Sequence, residues 1–110
     1  MMRPALSPAA AGLLRGLMAR VGPDRNRTYL TDFRSVDWQS LTFTGERHEI
    51  TLRVGGPDSE ELVARLTDGL VDAEWAIPGH LVADVALQRP PLASRDGSTI
   101  VHLEALTLAD

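Results

Sequence analysis

The feature that most constrains this fold is the order of two hydrophobic periodicities along the chain. Helical spacing of apolar residues occurs in residues 8–21 and 59–73, where one face of each segment is apolar. Alternation of apolar and polar residues predicts a β-hairpin over 36–54 and strands at 81–88 and 99–108. The resulting order, αββαββ, predicts an α+β domain with a two-layer sandwich architecture. In it, two helices cover one face of a four-stranded antiparallel sheet.

Both helices have recognisable start signals. Ser7 can cap the free amides of the first helix, and Pro8 suits its first helical position. Gly22-Pro23 ends that helix. At the second helix, Asp58 as the cap and Glu61 at the third helical position predict a capping box.

The predicted hairpin turns at Gly45-Glu46, because glycine suits the first central position of a type II′ turn. This register places Phe43 opposite His48, close to the turn and on the apolar face. It also places Trp38 opposite Arg53, which predicts a cation–π pair. Residues 23–35 would then form a connector before the hairpin.

The last strand has apolar side chains on both faces, so we expect it in the interior of the sheet. In the strand before it, Leu81, Ala83 and Val85 are expected to point inward. The predicted order equals a ferredoxin-like topology with its first strand moved to the end of the chain, a likeness that carries no function. We expect residues 1–6 to be disordered and residues 89–98 to form a flexible loop.

Composition excludes several classes of function. The chain has 110 residues, enough for a single domain, and a net charge of −4, which argues against nucleic acid as a partner. It has no cysteine, which excludes disulfides, thiolate zinc sites and iron–sulfur clusters. Arginine is the only basic residue besides histidine, a usage typical of GC-rich bacterial genomes. No apolar run is long enough for an integral membrane segment, and no signal peptide is recognisable, so we expect a cytoplasmic protein.

The charge is unevenly distributed. Residues 1–34 contain six arginines and two aspartates, whereas residues 35–110 contain five arginines and thirteen acids. A basic segment of this kind can bind a partner or can pack on the acidic body, and we favour packing.

The uncovered face of the predicted sheet mixes apolar and charged side chains, which favours pairing with a second copy. The predicted interface residues on this face are Trp38, Thr51, Arg53, Ile100 and Leu106. No nucleotide-binding, serine-hydrolase, zinc-protease or calcium-loop motif is present, so we predict no cofactor and identify no catalytic residue. The first hypothesis is therefore a non-catalytic interaction module that forms a homodimer.

Two alternative functions remain open. His80, Asp84, His102 and Glu104 are predicted on the same face. They could converge as ligands for a metal or a small molecule, either in a binding protein or in an enzyme. A histidine and a carboxylate on neighbouring strands are also a common surface ion pair, so no metal site is assigned. Alternatively, helix 8–21 could bind a membrane surface through its apolar face.

Overall fold

The computed structural model describes residues 6–109. The prediction of disorder in residues 1–6 therefore lies, except for Leu6, outside the described residues. The helices and strands are α1 (Pro8–Val21), β1 (Thr28–Gln39), β2 (Thr44–Val54), α2 (Ser59–Thr67), β3 (His80–Leu87), β4 (Leu92–Ala93) and β5 (Thr99–Ala109). Short 3-10 helices at Gly22–Arg27 and Leu70–Asp72 follow α1 and α2. The architecture is α+β with an antiparallel sheet.

The sheet has five strands in place of the four predicted. Its main path is β1-β2-β5-β3, and the two-residue strand β4 pairs with the start of β5. β3 pairs with β5 only as far as Leu87 opposite Leu103. β4 continues this edge, with Leu92 opposite Ile100, so it supplies hydrogen-bond partners that β3 leaves unused. Two residues of the predicted 89–98 loop thus pair with β5, and the flexibility of that loop stays a prediction.

Both helices pack on the same face of the sheet, which we call the covered face. Alternate residues of β2 and β5 point toward the helices, and those of β5 from Thr99 to Thr107 are all buried. The largest fully buried apolar side chains are Leu13, Leu17, Ile50, Leu52, Leu62, Leu66, Leu103, Val54 and Val101. Burying one leucine stabilises the fold by about 1.5–3 kcal/mol, so this contact between helices and sheet dominates stability.

The predicted bounds of α1 are confirmed. Ser7 Oγ accepts a hydrogen bond from the Ala10 amide at 3.2 Å, and Gly22 ends the helix with a φ of +57°. Gly16 of α1 faces the connector after α2. A Cβ at Gly16 would lie 2.4 Å from the Trp75 ring, so only glycine permits this close approach.

The second helix is shorter than predicted, and its capping box does not form. α2 ends at Thr67, and Gly69 follows in the left-handed conformation with a φ of +65°. Asp58 has a φ of +63°, and its side chain makes no capping hydrogen bond. A capping side chain usually extends from a β-region backbone, so the left-handed backbone at Asp58 explains the missing cap.

The hairpin turn lies at Ser40–Phe43, so the predicted turn at Gly45 is wrong. Ser40 Oγ accepts hydrogen bonds from the amides of Phe43 at 3.0 Å and Thr42 at 3.4 Å. Gly45 lies within β2, where a Cβ would come 1.9 Å from the carbonyl oxygen of Thr107. The glycine therefore serves a close approach between β2 and β5 rather than a turn.

The moved turn changes every pairing of the hairpin. β1 begins at Thr28 and includes much of the predicted connector. Trp38 lies opposite Gly45, and Arg53 lies opposite Tyr29, so the predicted cation–π pair does not form. Ser35, in place of Phe43, lies opposite His48.

A bulge in β3 corrects the predicted faces of that strand. The register with β5 shifts between Val82 and Asp84, because Ala83 is an additional residue. Val82 therefore packs against the core, and Leu81, predicted inward, is 54% exposed.

Arginines of the basic N-terminal segment bind the rest of the domain. Arg20 Nε donates to the Leu66 carbonyl at 2.8 Å, and its guanidinium also contacts the Asp68 carbonyl. Arg27 Nε donates to the Gly55 carbonyl at 3.0 Å. These contacts support the interpretation that the segment packs on the body.

Candidate functional site

The face of the sheet opposite the helices, which we call the open face, contains two cross-strand rows of special interest. In the first row, Leu106 of β5 lies between Arg47 of β2 and Asp84 of β3. In the second row, Leu108 lies between Gly45 and Leu81. Leu106 and Leu108 are half-buried, while Leu81 is exposed. An apolar centre is thus flanked by a positive charge on one side and a negative charge on the other.

The middle of the open face is charged. Glu49 lies directly opposite Glu104, an arrangement of like charges that is unfavourable in a sheet. Arg34 lies 3.8 Å from Glu49 and 3.9 Å from Asp32, so it partly neutralises this cluster. Within residues 6–109, Arg47, Asp84 and Glu104 take part in no ion pair.

The five predicted interface residues all lie on the open face, at different ends of it. Trp38 lies beside the hairpin turn, near Leu106 and Leu108, whereas Arg53 and Ile100 lie at the opposite end. Arg53 binds Ser98 Oγ at 3.1 Å and also contacts Asp96, so it is already partnered within the chain. Their role in an interface remains a prediction.

The four predicted ligand residues are not brought together. The bulge at Ala83 turns His80 to the covered face, where it pairs with Ala109. Asp84 lies opposite Leu106, and Glu104 lies opposite Ala86. His102 instead lies opposite Thr51, whose Oγ1 is 3.3 Å from His102 Nδ1. Residues 6–109 contain no group of three or more histidine, aspartate or glutamate side chains placed to hold a metal ion.

The covered face has a polar group that the sequence indicated only in part. His48 is fully buried, as its place on the apolar face predicted, and its ring packs edge-on to Phe33 at 5.9 Å. His48 Nδ1 lies 2.7 Å from Ser35 Oγ, and Nε2 lies 2.9 Å from Thr107 Oγ1. Burial lowers the pKa of His48, although the carboxylate of Glu46 opposes this effect. The incorrect hairpin register hid Ser35 from the sequence analysis.

An open cavity of about 530 Å³ lies at the same end of the sheet. Its lining includes Asp37, Trp38, Glu46, His80 and the buried Thr107. Glu46 Oε1 accepts a hydrogen bond from Ser7 Oγ at 2.7 Å, which connects this end to the start of α1. The cavity therefore places two carboxylates and one imidazole beside the hydrogen bonds of His48.

Comparison with protein-family models and with curated proteins finds no match to this chain. Function must therefore be inferred from the geometry of the two faces.

Proposed function

We propose that this protein is an interaction module that works as a homodimer joined through the open face. The observation that carries the proposal is the row Arg47–Leu106–Asp84, in which opposite charges lie on the two sides of an apolar centre. Arg47 and Asp84 are separated by two strand spacings, about 10 Å, with Leu106 between them. They form no ion pair with each other within residues 6–109. A second copy can supply the partner for each of them.

A twofold axis along β5 pairs Arg47 and Asp84 at once, and it also brings Glu104 against its own copy in the row Glu49–Glu104–Ala86. It lays β2 of one copy over β3 of the other, so Arg47 faces the partner's Asp84 and Leu106 faces its own copy. The next row also fits, because the exposed Leu81 enters the space above the partner's Gly45, which has no side chain. Isologous interfaces require this self-complementarity.

The size of the open face suits a dimer. Four strands at about 4.8 Å spacing, with lengths of up to about 11 residues at 3.3 Å each, cover roughly 600–700 Å². Stable interfaces bury about 800 Å² on each partner, so the face is close to the usual size.

The alternative functions are less favoured by the geometry. The proposed ligand residues lie on different faces or in separate rows, which offers no common site. The apolar face of α1, which includes Leu13, Leu17 and Val21, is buried against the sheet. It is therefore not available to bind a membrane surface. Within residues 6–109, no helix has the length and apolar character needed to span a bilayer.

We also infer that the sheet is a permuted ferredoxin-like one, with β4 as an addition at its edge. The chain order αββαββ and the position of β5 between β2 and β3 support this inference.

The test is the mass in solution, measured by light scattering after size exclusion. We expect a mass near twice 11.9 kDa for the unchanged chain and near 11.9 kDa for Leu106→Glu, which buries a charge at the apolar centre. Val71→Glu is the matched control, because Val71 is 70% exposed and lies away from the sheet in the 3-10 helix after α2. It should remain dimeric.

A charge swap tests the proposed axis. Arg47→Asp should weaken the dimer, and adding Asp84→Arg should restore it, because each new pair again joins opposite charges across the interface. A monomeric unchanged chain would refute the dimer. A dimer insensitive to both Leu106→Glu and the swap would refute this interface.

A further inference from the structure

Three side chains form a hydrogen-bonded chain across the covered face near the hairpin turn. Ser35 on β1, His48 on β2 and Thr107 on β5 are joined by contacts of 2.7 Å and 2.9 Å to the two ring nitrogens of His48. The residues at its two ends differ in exposure, since Ser35 is exposed and Thr107 is fully buried. The chain therefore links a buried imidazole to a hydroxyl that solvent can reach.

We assign to His48 the tautomer that has its proton on Nε2. The hydroxyl of Thr107 donates to the Glu46 carbonyl at 3.5 Å, which leaves Thr107 Oγ1 to accept from His48 Nε2–H. Nδ1 then has no proton and accepts the hydroxyl proton of Ser35. A nucleophile, a base and a third group that orients the base are the parts of an activated serine.

The surroundings of the His48 ring are compatible with a role as a general base. Burial lowers the pKa of His48, so the ring is neutral and able to accept a proton near pH 7. Two charged or titratable groups act on it, Glu46 from β2 and His80 from β3, with opposite effects on its pKa. The carboxylate of Glu46 would also stabilise the imidazolium that forms when Ser35 loses its proton.

We infer that Ser35 is a nucleophilic serine, activated by His48, that accepts an acyl group from an ester. Ser35 Oγ attacks the carbonyl carbon and forms a bond to it, while its proton passes to His48 Nδ1 and the carbonyl π pair moves to oxygen. The tetrahedral intermediate then breaks the bond to the alcohol oxygen, which takes the proton from Nδ1. The products are an acyl-serine and a free alcohol, and water can release the acid by the same steps.

Access to Ser35 follows from the topology. Within residues 6–109, β1 is an edge strand of the sheet and pairs only with β2. Ser35 belongs to the covered face, whereas the proposed dimer uses the open face, so the two proposals are independent.

The test uses the full chain with p-nitrophenyl acetate and, separately, a fluorophosphonate probe. Release of p-nitrophenolate gives the rate, and peptide mass spectrometry locates the adduct. We expect the adduct on Ser35, its loss in Ser35→Ala, and a rate about 10²-fold lower in His48→Asn. Ser94→Ala is the matched control, because Ser94 is a half-buried serine in the turn before β5, away from the hairpin that contains Ser35 and His48. It should react like the unchanged chain.

Two further measurements keep the test decisive if His48→Asn fails to fold. The acylation rate of the unchanged chain should rise with pH, with a midpoint below the ordinary histidine pKa of 6.5. Thr107→Val, which removes the acceptor for Nε2–H, should slow acylation and change the ¹⁵N shifts of His48 toward the other tautomer. An adduct spread over several serines, or a rate that does not follow a histidine titration, would overturn the inference.

Discussion

The two faces of the sheet come from the same strands but are built differently. On β5, the side chains toward the helices, from Thr99 to Thr107, are all buried, whereas the intervening ones from Ile100 to Leu108 are only half-buried. The covered face is an apolar core with buried polar groups at its ends. His48 with its two hydroxyl partners lies near the hairpin turn, and Ser59 hydrogen-bonded to Thr99 lies at the opposite end. The open face mixes leucines with charges, of which Arg47, Asp84 and Glu104 take part in no ion pair within residues 6–109.

This difference separates the side chains that stabilise the fold from those that remain available for an interaction. Helix packing on the covered face supplies most of the hydrophobic stabilisation. The open face is not needed for that core, so its side chains are free to serve an interaction with another chain. The end of the covered face that contains His48 contributes differently. Burial of a histidine removes its contacts with water, which is unfavourable unless hydrogen bonds within the protein replace them.

The strongest test of the comparison truncates one leucine on each face of β5. Leu103→Ala should lower the free energy of unfolding by about 2–5 kcal/mol, because Leu103 is fully buried and leaves a cavity. Leu106→Ala should cost much less in the monomer, because Leu106 is half-buried. Urea denaturation at low protein concentration measures both, and equal losses would show that the two faces do not differ as described.

The dependence of stability on pH tests whether His48 is buried in its neutral form on the covered face. Since burial lowers the pKa of His48 below 6.5, the unfolded chain binds a proton before the folded chain does. The His48 contribution to stability is therefore present above pH 6.5 and is lost as the pH falls through 6.5 toward the lowered pKa of the folded chain.

Urea denaturation across this pH range should show the unchanged chain losing stability on acidification, with a smaller loss in His48→Gln. His102→Gln, which removes a histidine from the open face, is the control. An equal pH dependence in His48→Gln and the unchanged chain would contradict the buried neutral state.

The smallest effect is expected for a charged pair at the edge of the open face. Arg53 contacts Asp96, and both side chains are about half exposed. Asp96→Asn should therefore change the free energy of unfolding by no more than about 1 kcal/mol. A loss as large as that of Leu103→Ala would mean that surface charge matters as much as the core.

Periodicity predicted much of the fold. It identified α1 with its bounds, the face of β2 that contains His48, and the interior position of β5. These features depend on residues that are close in sequence and on burial, which a periodic pattern reports directly.

The candidate sites were predicted less well, because they depend on register. From the local sequence, Gly45 is a good candidate for a turn residue. Glycine is required there for a different reason, because the carbonyl oxygen of Thr107, far along the chain, leaves no room for a Cβ. An alanine at position 83 gives no local sequence signal for a bulge. As the additional residue of that bulge, however, Ala83 places His80 on the covered face, away from the other predicted ligand residues.

The sequence by itself determined the buried faces of α1, β2 and β5, because helical spacing and alternation commit the residues of an unbroken helix or strand to one face. Only the tertiary structure decided which residues meet across strands. The approach of β2 to β5 at Gly45 and the turn at Ser40–Phe43 together set the hairpin register. That register places Ser35 beside His48. The bulge in β3 places Asp84 in the same cross-strand row as Arg47. Both depend on tertiary structure, because a shift of one residue along a strand changes the cross-strand neighbours of all its residues.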